Sequence, residues 1–95
     1  MKRGDNDAET CRLNGWGVGT LLVGKASTGI ITLLRITAIG EQGVLLACLA
    51  NQYPDIPEPS FCYGHDDVGW NLRDREWKTS NGKMVFEHST KGLKK

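Results

Sequence analysis

The stretch from Gly29 to Ala50 restricts what this chain can fold into more than any other. Ile30 to Ile39 and Val44 to Ala50 are two aliphatic, β-branched runs on either side of Gly40-Glu41-Gln42-Gly43. Two such runs around a four-residue turn are a hairpin signal. With Glu41 and Gln42 at the tip and the two glycines supplying any positive φ, Ile39 faces Val44 and every facing pair sums to the same number. Leu34 then faces Leu49, Ile36 faces Ala47 and Ala38 faces Leu45. Alternation puts these residues, with Ile30 and Thr32, on one core face. The other face carries Ile31, Leu33, Arg35, Thr37, Ile39, Val44, Leu46, Cys48 and Ala50, which is too apolar for a solvated side. Three arrangements would cover it: strands that bend into a small barrel, the C-terminal tail, or a second copy of the chain. A β-bulge would shift the pairing by one.

Ninety-five residues make one domain with a modest core, since a chain of this size buries roughly 60–65% of its unfolded surface. Lys and Arg number 12 against 11 acids, which leaves no global electrostatic case for nucleic acid or an anionic membrane. The charge is uneven all the same. Asp5, Asp7 and Glu9 open the chain, Asp55, Glu58, Asp66 and Asp67 make an acidic loop, and Lys91, Lys94 and Lys95 close it. Cys11, Cys48 and Cys62 are an odd number with no paired spacing, as expected of free thiols in a reducing compartment. The apolar runs are too short to span a bilayer and no signal peptide opens the chain, so the expectation is a cytoplasmic protein.

Read in order, residues 1–13 are polar and without period, a flexible arm. A single small β-barrel is expected over residues 14–88, and a basic tail over 89–95. Gly15, Gly17 and Gly19 make a turn anchored by Trp16, feeding a short strand Thr20-Leu21-Leu22-Val23. After the central hairpin, residues 51–69 hold Pro54, Pro57 and Pro59 and read as a long surface loop. Val68 to Leu72 alternates as a fourth strand, and Arg73 to Glu76 suits one 3₁₀ turn. Asn81-Gly82 predicts a type I′ turn joining a fifth strand to a sixth over Lys83 to Glu87. No α-helix is expected. This is the element order of an all-β, SH3-like barrel of five to six antiparallel strands. An OB-like barrel is the alternative, disfavoured because it usually inserts a helix where this chain has the proline-rich loop.

Three blocks carry a resemblance: Asn14-Gly15-Trp16 with Val18-Gly19, Arg35 to Glu41, and Trp70, Leu72, Arg75 and Trp77-Lys78. Together they resemble short uncharacterised accessory proteins of tailed phages and prophages of enteric bacteria, over roughly Asn14 to Lys78. The resemblance implies expression in the host bacterial cytoplasm and brings no catalytic residue with it. This chain departs from the pattern in its longer loop, Gln52 to Asp67, and in its tail beyond Thr79.

The motifs of catalysis fit poorly. Gly19 to Ala26 approaches a phosphate-binding loop, but lacks the final hydroxyl and the following helix, and its interior is itself a strand. Gly15, Gly17 and Gly19 lack the helix that would aim amides at a pyrophosphate. Cys62 and His65 have zinc-ligand spacing without a second pair. His65-Asp66-Asp67 has no nucleophile placed beside it. The reading is therefore of a non-enzymatic protein with no cofactor and no metal.

An aromatic and basic set is the better candidate for function. Tyr63, His65, Trp70, Arg73, Arg75 and Arg35 are the expected ligand-binding residues, because rings stack on bases and guanidinium forks hold phosphates. Trp70 and Trp77 could equally be core. With the phage context, the leading expectation is a binding protein that counters host defence by sequestering a nucleotide-derived immune signal in a homo-oligomer. One alternative is an inhibitor of a host defence protein, such as a nuclease or CRISPR complex, with Asp55 to Asp67 as a phosphate mimic. The other is a nucleic-acid-binding accessory factor.

Overall fold

The central hairpin forms where the aliphatic runs place it. The computed structural model describes residues 1–62 and 69–81. The elements are α1 (Asp7–Asn14), β1 (Leu21–Lys25), β2 (Ile31–Ile39), β3 (Val44–Gln52), β4 (Ser60–Phe61) and β5 (Lys78–Thr79). They build one antiparallel sheet in the order β4-β3-β2-β1-β5, which is not closed. The described residues are mostly β with one short helix. Among the described residues no helix is long and apolar enough to cross a membrane.

The β2–β3 register follows the expected sum at both ends and breaks from it in the middle. Ile39 faces Val44 and Ala38 faces Leu45, but Ile36 faces Leu46, Arg35 faces Ala47 and Leu34 faces Cys48. Beyond that, Leu33 faces Ala50 and the original sum returns. Thr37 is the extra residue of one irregularity, on β2, and Leu49 of the other, on β3. Each removes one step of alternation. Leu46 and Cys48 therefore join Leu22, Leu34 and Ile36 in the main core, while Ala47 turns to the opposite face with Arg35. Gly40 and Gly43 are not positive-φ residues, contrary to expectation; the turn closes through Gly40 N–H donating to Gly43 O at 2.8 Å.

Residues 7–14, expected as part of a loose arm, are a helix with both ends capped. Asn6 in extended backbone accepts from Glu9 N–H at 2.8 Å, and Glu9 reaches back to accept from Asp5 N–H. Asp7 and Glu9 in the first turn and Arg12 in the last complement the helix dipole. At the far end Gly15 takes the left-handed conformation, φ 72°. Its N–H bonds to Arg12 O and that of Trp16 to Cys11 O, a Schellman arrangement in which Trp16 and Cys11 also share the core. End chemistry outweighs the missing apolar period.

The main core lies between one sheet face, α1 with Trp16, and a strap over residues 70–77. The expected fourth strand and 3₁₀ turn are absent from this strap: residues 70–71 are irregular and 72–75 form bends. The second two-residue edge strand is instead β4, inside the proline-rich segment, where Phe61 faces Ala50. Gln52 holds this segment by donating to the carbonyls of Ile56 and Pro57. On the opposite sheet face Val23, Ile31, Leu33 and Ala50 form a smaller buried cluster within the single chain. The sixth strand expected at 83–87 lies outside the described residues.

The strap crosses β1 at Gly24. A Cβ there would sit 2.7 Å from Trp77 Cε3, 2.9 Å from Arg75 Cδ and 2.9 Å from Glu76 O. Gly24→Ala forces the strap off the sheet and is expected to destabilise by about 1–3 kcal/mol, read as a lower urea midpoint with unchanged slope.

Candidate functional site

Two of the six expected binding residues meet in the strap, in a different role from the one anticipated. The Arg75 guanidinium lies 4.9 Å from the Trp77 ring centroid and 6.0 Å from that of Trp70. Its Nη1 donates to Thr32 Oγ1 at 3.2 Å, and its Nη2 bonds to Asp74 at 2.9 Å. The side chain is only 11% exposed. A guanidinium stacked on indoles and tied to Thr32 and Asp74 is structural, and offers a ligand no open fork. Trp77, 2% exposed, is core, and Trp70 is half-buried against it.

Of the other four, Arg73 and Arg35 do not join this cluster. Arg73 is exposed, with its Nε 3.7 Å from Asp7 Oδ1, an ion pair too long for a hydrogen bond. Arg35 shares its face with Leu21 and Ala47, on the other side of the sheet from Arg75. Alternation along β2, from Thr32, which Arg75 meets, to Arg35, separates the two cations. Tyr63 and His65 lie outside the described residues, as do Asp66 and Asp67.

Contacts from the N-terminal segment hold the strap down. Leu72 N–H donates to Asp7 Oδ2 at 3.3 Å. Arg3 donates to the carbonyls of Leu72 and Arg75 and to Glu76 Oε2, and the Met1 amine bonds to Glu76 Oε1 at 3.2 Å. Trp77 N–H meets Met1 Sδ at 3.3 Å.

At this end of the sheet the described residues leave a groove of about 470 Å³. Val23, Ile31, Met1 and Trp77 give it apolar walls, and Lys25 and Lys78 line it too. Val23 pairs with Lys78, and Lys25 lies two residues further along β1, so both lysines project on the Val23 side. They are exposed. Sequence reasoning missed this groove because Lys25 and Lys78 stand fifty-three positions apart and become neighbours only through β1–β5 pairing.

At the other edge, Cys48 and Cys62 bring their sulfurs to 3.1 Å. Asn51 Nδ2 lies 3.4 Å from Cys48 Sγ and 3.8 Å from Cys62 Sγ, and Thr32 Oγ1 donates to Asn51 Oδ1 at 2.7 Å. Burial, then the hydrogen bond with Cys62, pushes the Cys48 thiol up to about 12. Burial on the core side of α1, and then the nearby Asp7, pushes the Cys11 thiol up to about 11. Among the described residues no three His, Cys, Asp or Glu side chains are grouped to hold a metal. The expected Cys62–His65 pair includes a residue outside that set.

The pattern of a domain of unknown function, DUF7241, matches residues 5–82. The chain belongs to this family. The DUF7241 span takes in α1, the sheet and the strap together, the parts that share the main core. No curated protein and no solved structure matches the chain.

Glu76 gives the N-terminal clamp a pH signature. Hydrogen bonds from the Met1 amine and then from Arg3 hold its carboxyl below the ordinary value of 4.5. A carboxyl lowered in the folded state contributes fully above its unfolded value, and the contribution is lost as pH falls through the folded one. Urea midpoints of wild type and Glu76→Gln are expected to differ at about pH 6, and the difference to shrink as pH falls below the ordinary carboxyl value.

Proposed function

We propose that this chain is a non-enzymatic binding domain of SH3-like type that takes an anionic, nucleotide-type small molecule in the groove between β1 and the strap. The groove carries this reading. Its volume of about 470 Å³ lies in the range of small-molecule sites, and it combines apolar walls, including Trp77, with two lysines. An aromatic or aliphatic body packs against Met1, Val23 and Ile31 while Lys25 and Lys78 meet its negative charge. The strand order β4-β3-β2-β1-β5, with a short first strand and a long bent hairpin, supports the SH3-like assignment over an OB-like one.

The phage context rests on the resemblance of the Asn14 to Lys78 blocks. In that setting the domain works in the host cytoplasm and counters defence by sequestering a nucleotide-derived signal. A pocket shared between protomers has less support than one within a chain, because the apolar face that suggested self-association is already buried at Val23, Ile31, Leu33 and Ala50.

A second reading has its own observation. Phe61 on edge strand β4 is 69% exposed, and Tyr53 and Ile56 are exposed nearby in sequence beside Asp55 and Glu58. An apolar, acidic edge of this kind suits an inhibitor docked on a host defence protein.

Calorimetric titration against cyclic oligonucleotides and ADP-ribose-type molecules separates the two. One anionic ligand is expected to bind, and Lys25→Glu with Lys78→Glu to weaken it by at least about tenfold. Phe61→Ser is expected to leave that affinity unchanged. If none of the panel binds, the sequestration reading fails; if Phe61→Ser alone abolishes inhibition of a defence system, the second reading replaces it.

A further inference from the structure

We propose that Cys48 and Cys62 are a reversible oxidation site, a dithiol that closes to an intramolecular disulfide and clips β4 onto β3 beneath the proline-rich segment. Three features of the structure carry the inference, and none depends on what the groove binds. The sulfurs are 3.1 Å apart although the residues stand fourteen positions apart in the chain. The backbone is already in place, because Cys62 N–H donates to Leu49 O at 2.8 Å, one step past the Ala50–Phe61 pair. The bulge at Leu49 puts both side chains on one face. Without it Cys48 and Cys62 would lie on opposite faces, since Cys62 stands across from Leu49 and Cys48 is the next residue along.

The two thiols differ in a way that sets the order of events. Cys48 is buried and its high pKa keeps it protonated, whereas Cys62 is half-buried at the sheet edge, where an oxidant reaches it. With hydrogen peroxide as oxidant, the Cys62 sulfur gives up its proton to solvent and attacks one peroxide oxygen. The O–O bond breaks, Cys62 becomes the sulfenic acid, and the departing hydroxide takes a proton to leave as water. The Cys48 sulfur then attacks Cys62 Sγ and breaks its S–O bond. The Cys48 proton goes to the leaving hydroxide, so two thiols and one peroxide become one disulfide and two waters. A thiol reductant returns the pair to its starting state.

The disulfide closes a loop that contains Pro54, Pro57 and Pro59, and so secures an edge strand held by only two residue pairs. The full chain is treated with hydrogen peroxide without denaturant, digested and mapped by mass spectrometry. A Cys48–Cys62 cross-linked peptide, loss of two hydrogen masses from the intact chain and a melting temperature raised by about 5 °C are expected, all reversed by dithiothreitol. Cys62→Ser is expected to abolish the cross-link and the shift, while Cys11→Ala keeps both. The wild-type map is decisive even where a variant folds poorly. Over-oxidation of Cys62 without a cross-link, a covalent dimer through Cys62, or a cross-link through Cys11 would each overturn the assignment.

Discussion

Side-chain alternation along β2 and β3 is interrupted twice, at Thr37 and at Leu49, and much of the molecule follows from those two extra residues. Between them the register runs one step away from that at either end of the hairpin. A one-residue slip exchanges the faces of a strand. The slip gives the main core Leu46 opposite Ile36 and Cys48 opposite Leu34, where the unbroken register would have placed Ala47 and Leu49. It also brings Cys48 to the side of Cys62. The core and the thiol pair share one geometric cause.

The second constraint is the close crossing at Gly24. A strap without strand or helix of its own could lie on the sheet only if anchored along its length, because ordering each of its residues opposes folding. Trp77 and Leu72 provide the apolar anchor, and Asp7, Arg3 and the Met1 amine bind its carbonyls, amides and Glu76. Helix α1 is therefore part of the domain. Its short length makes it marginal alone, and its packing of Ala8, Cys11 and Trp16 is what keeps it folded.

Much of this was legible in the residues and some could not have been. The long hairpin, its tip pairing, β1 and the place of β5 follow from aliphatic runs and turn glycines. Helix α1 was legible too, in Asn6 with Glu9 three residues on and in Gly15, although no apolar period marks the stretch between those caps. The bulges were not legible. Nothing in the runs marks Thr37 or Leu49, since the register that wins is the one that packs best against Trp16, Leu72 and Trp77, residues distant in sequence. The role of Arg75 was not legible for the same reason: an arginine near two tryptophans reads alike whether it faces solvent or is packed against them.

Arg75 joins these parts. Its guanidinium donates to Thr32 Oγ1, Thr32 donates to Asn51, and the Asn51 amide faces both sulfurs. A single hydrogen-bonded path therefore runs from the strap, through the middle strand, to the β3–β4 edge. Burying a cation is unfavourable unless its donors are met, and here Nη1 bonds to Thr32, Nη2 to Asp74 and two ring faces lie beside the guanidinium, while Nε stays unpaired. An apolar side chain would fill the same space at less desolvation cost but would leave Thr32 Oγ1 without this donor. Thr32 is 1% exposed, so water could not easily replace the lost bond. The strap and the thiol edge are thus tied by polar groups that have few other partners.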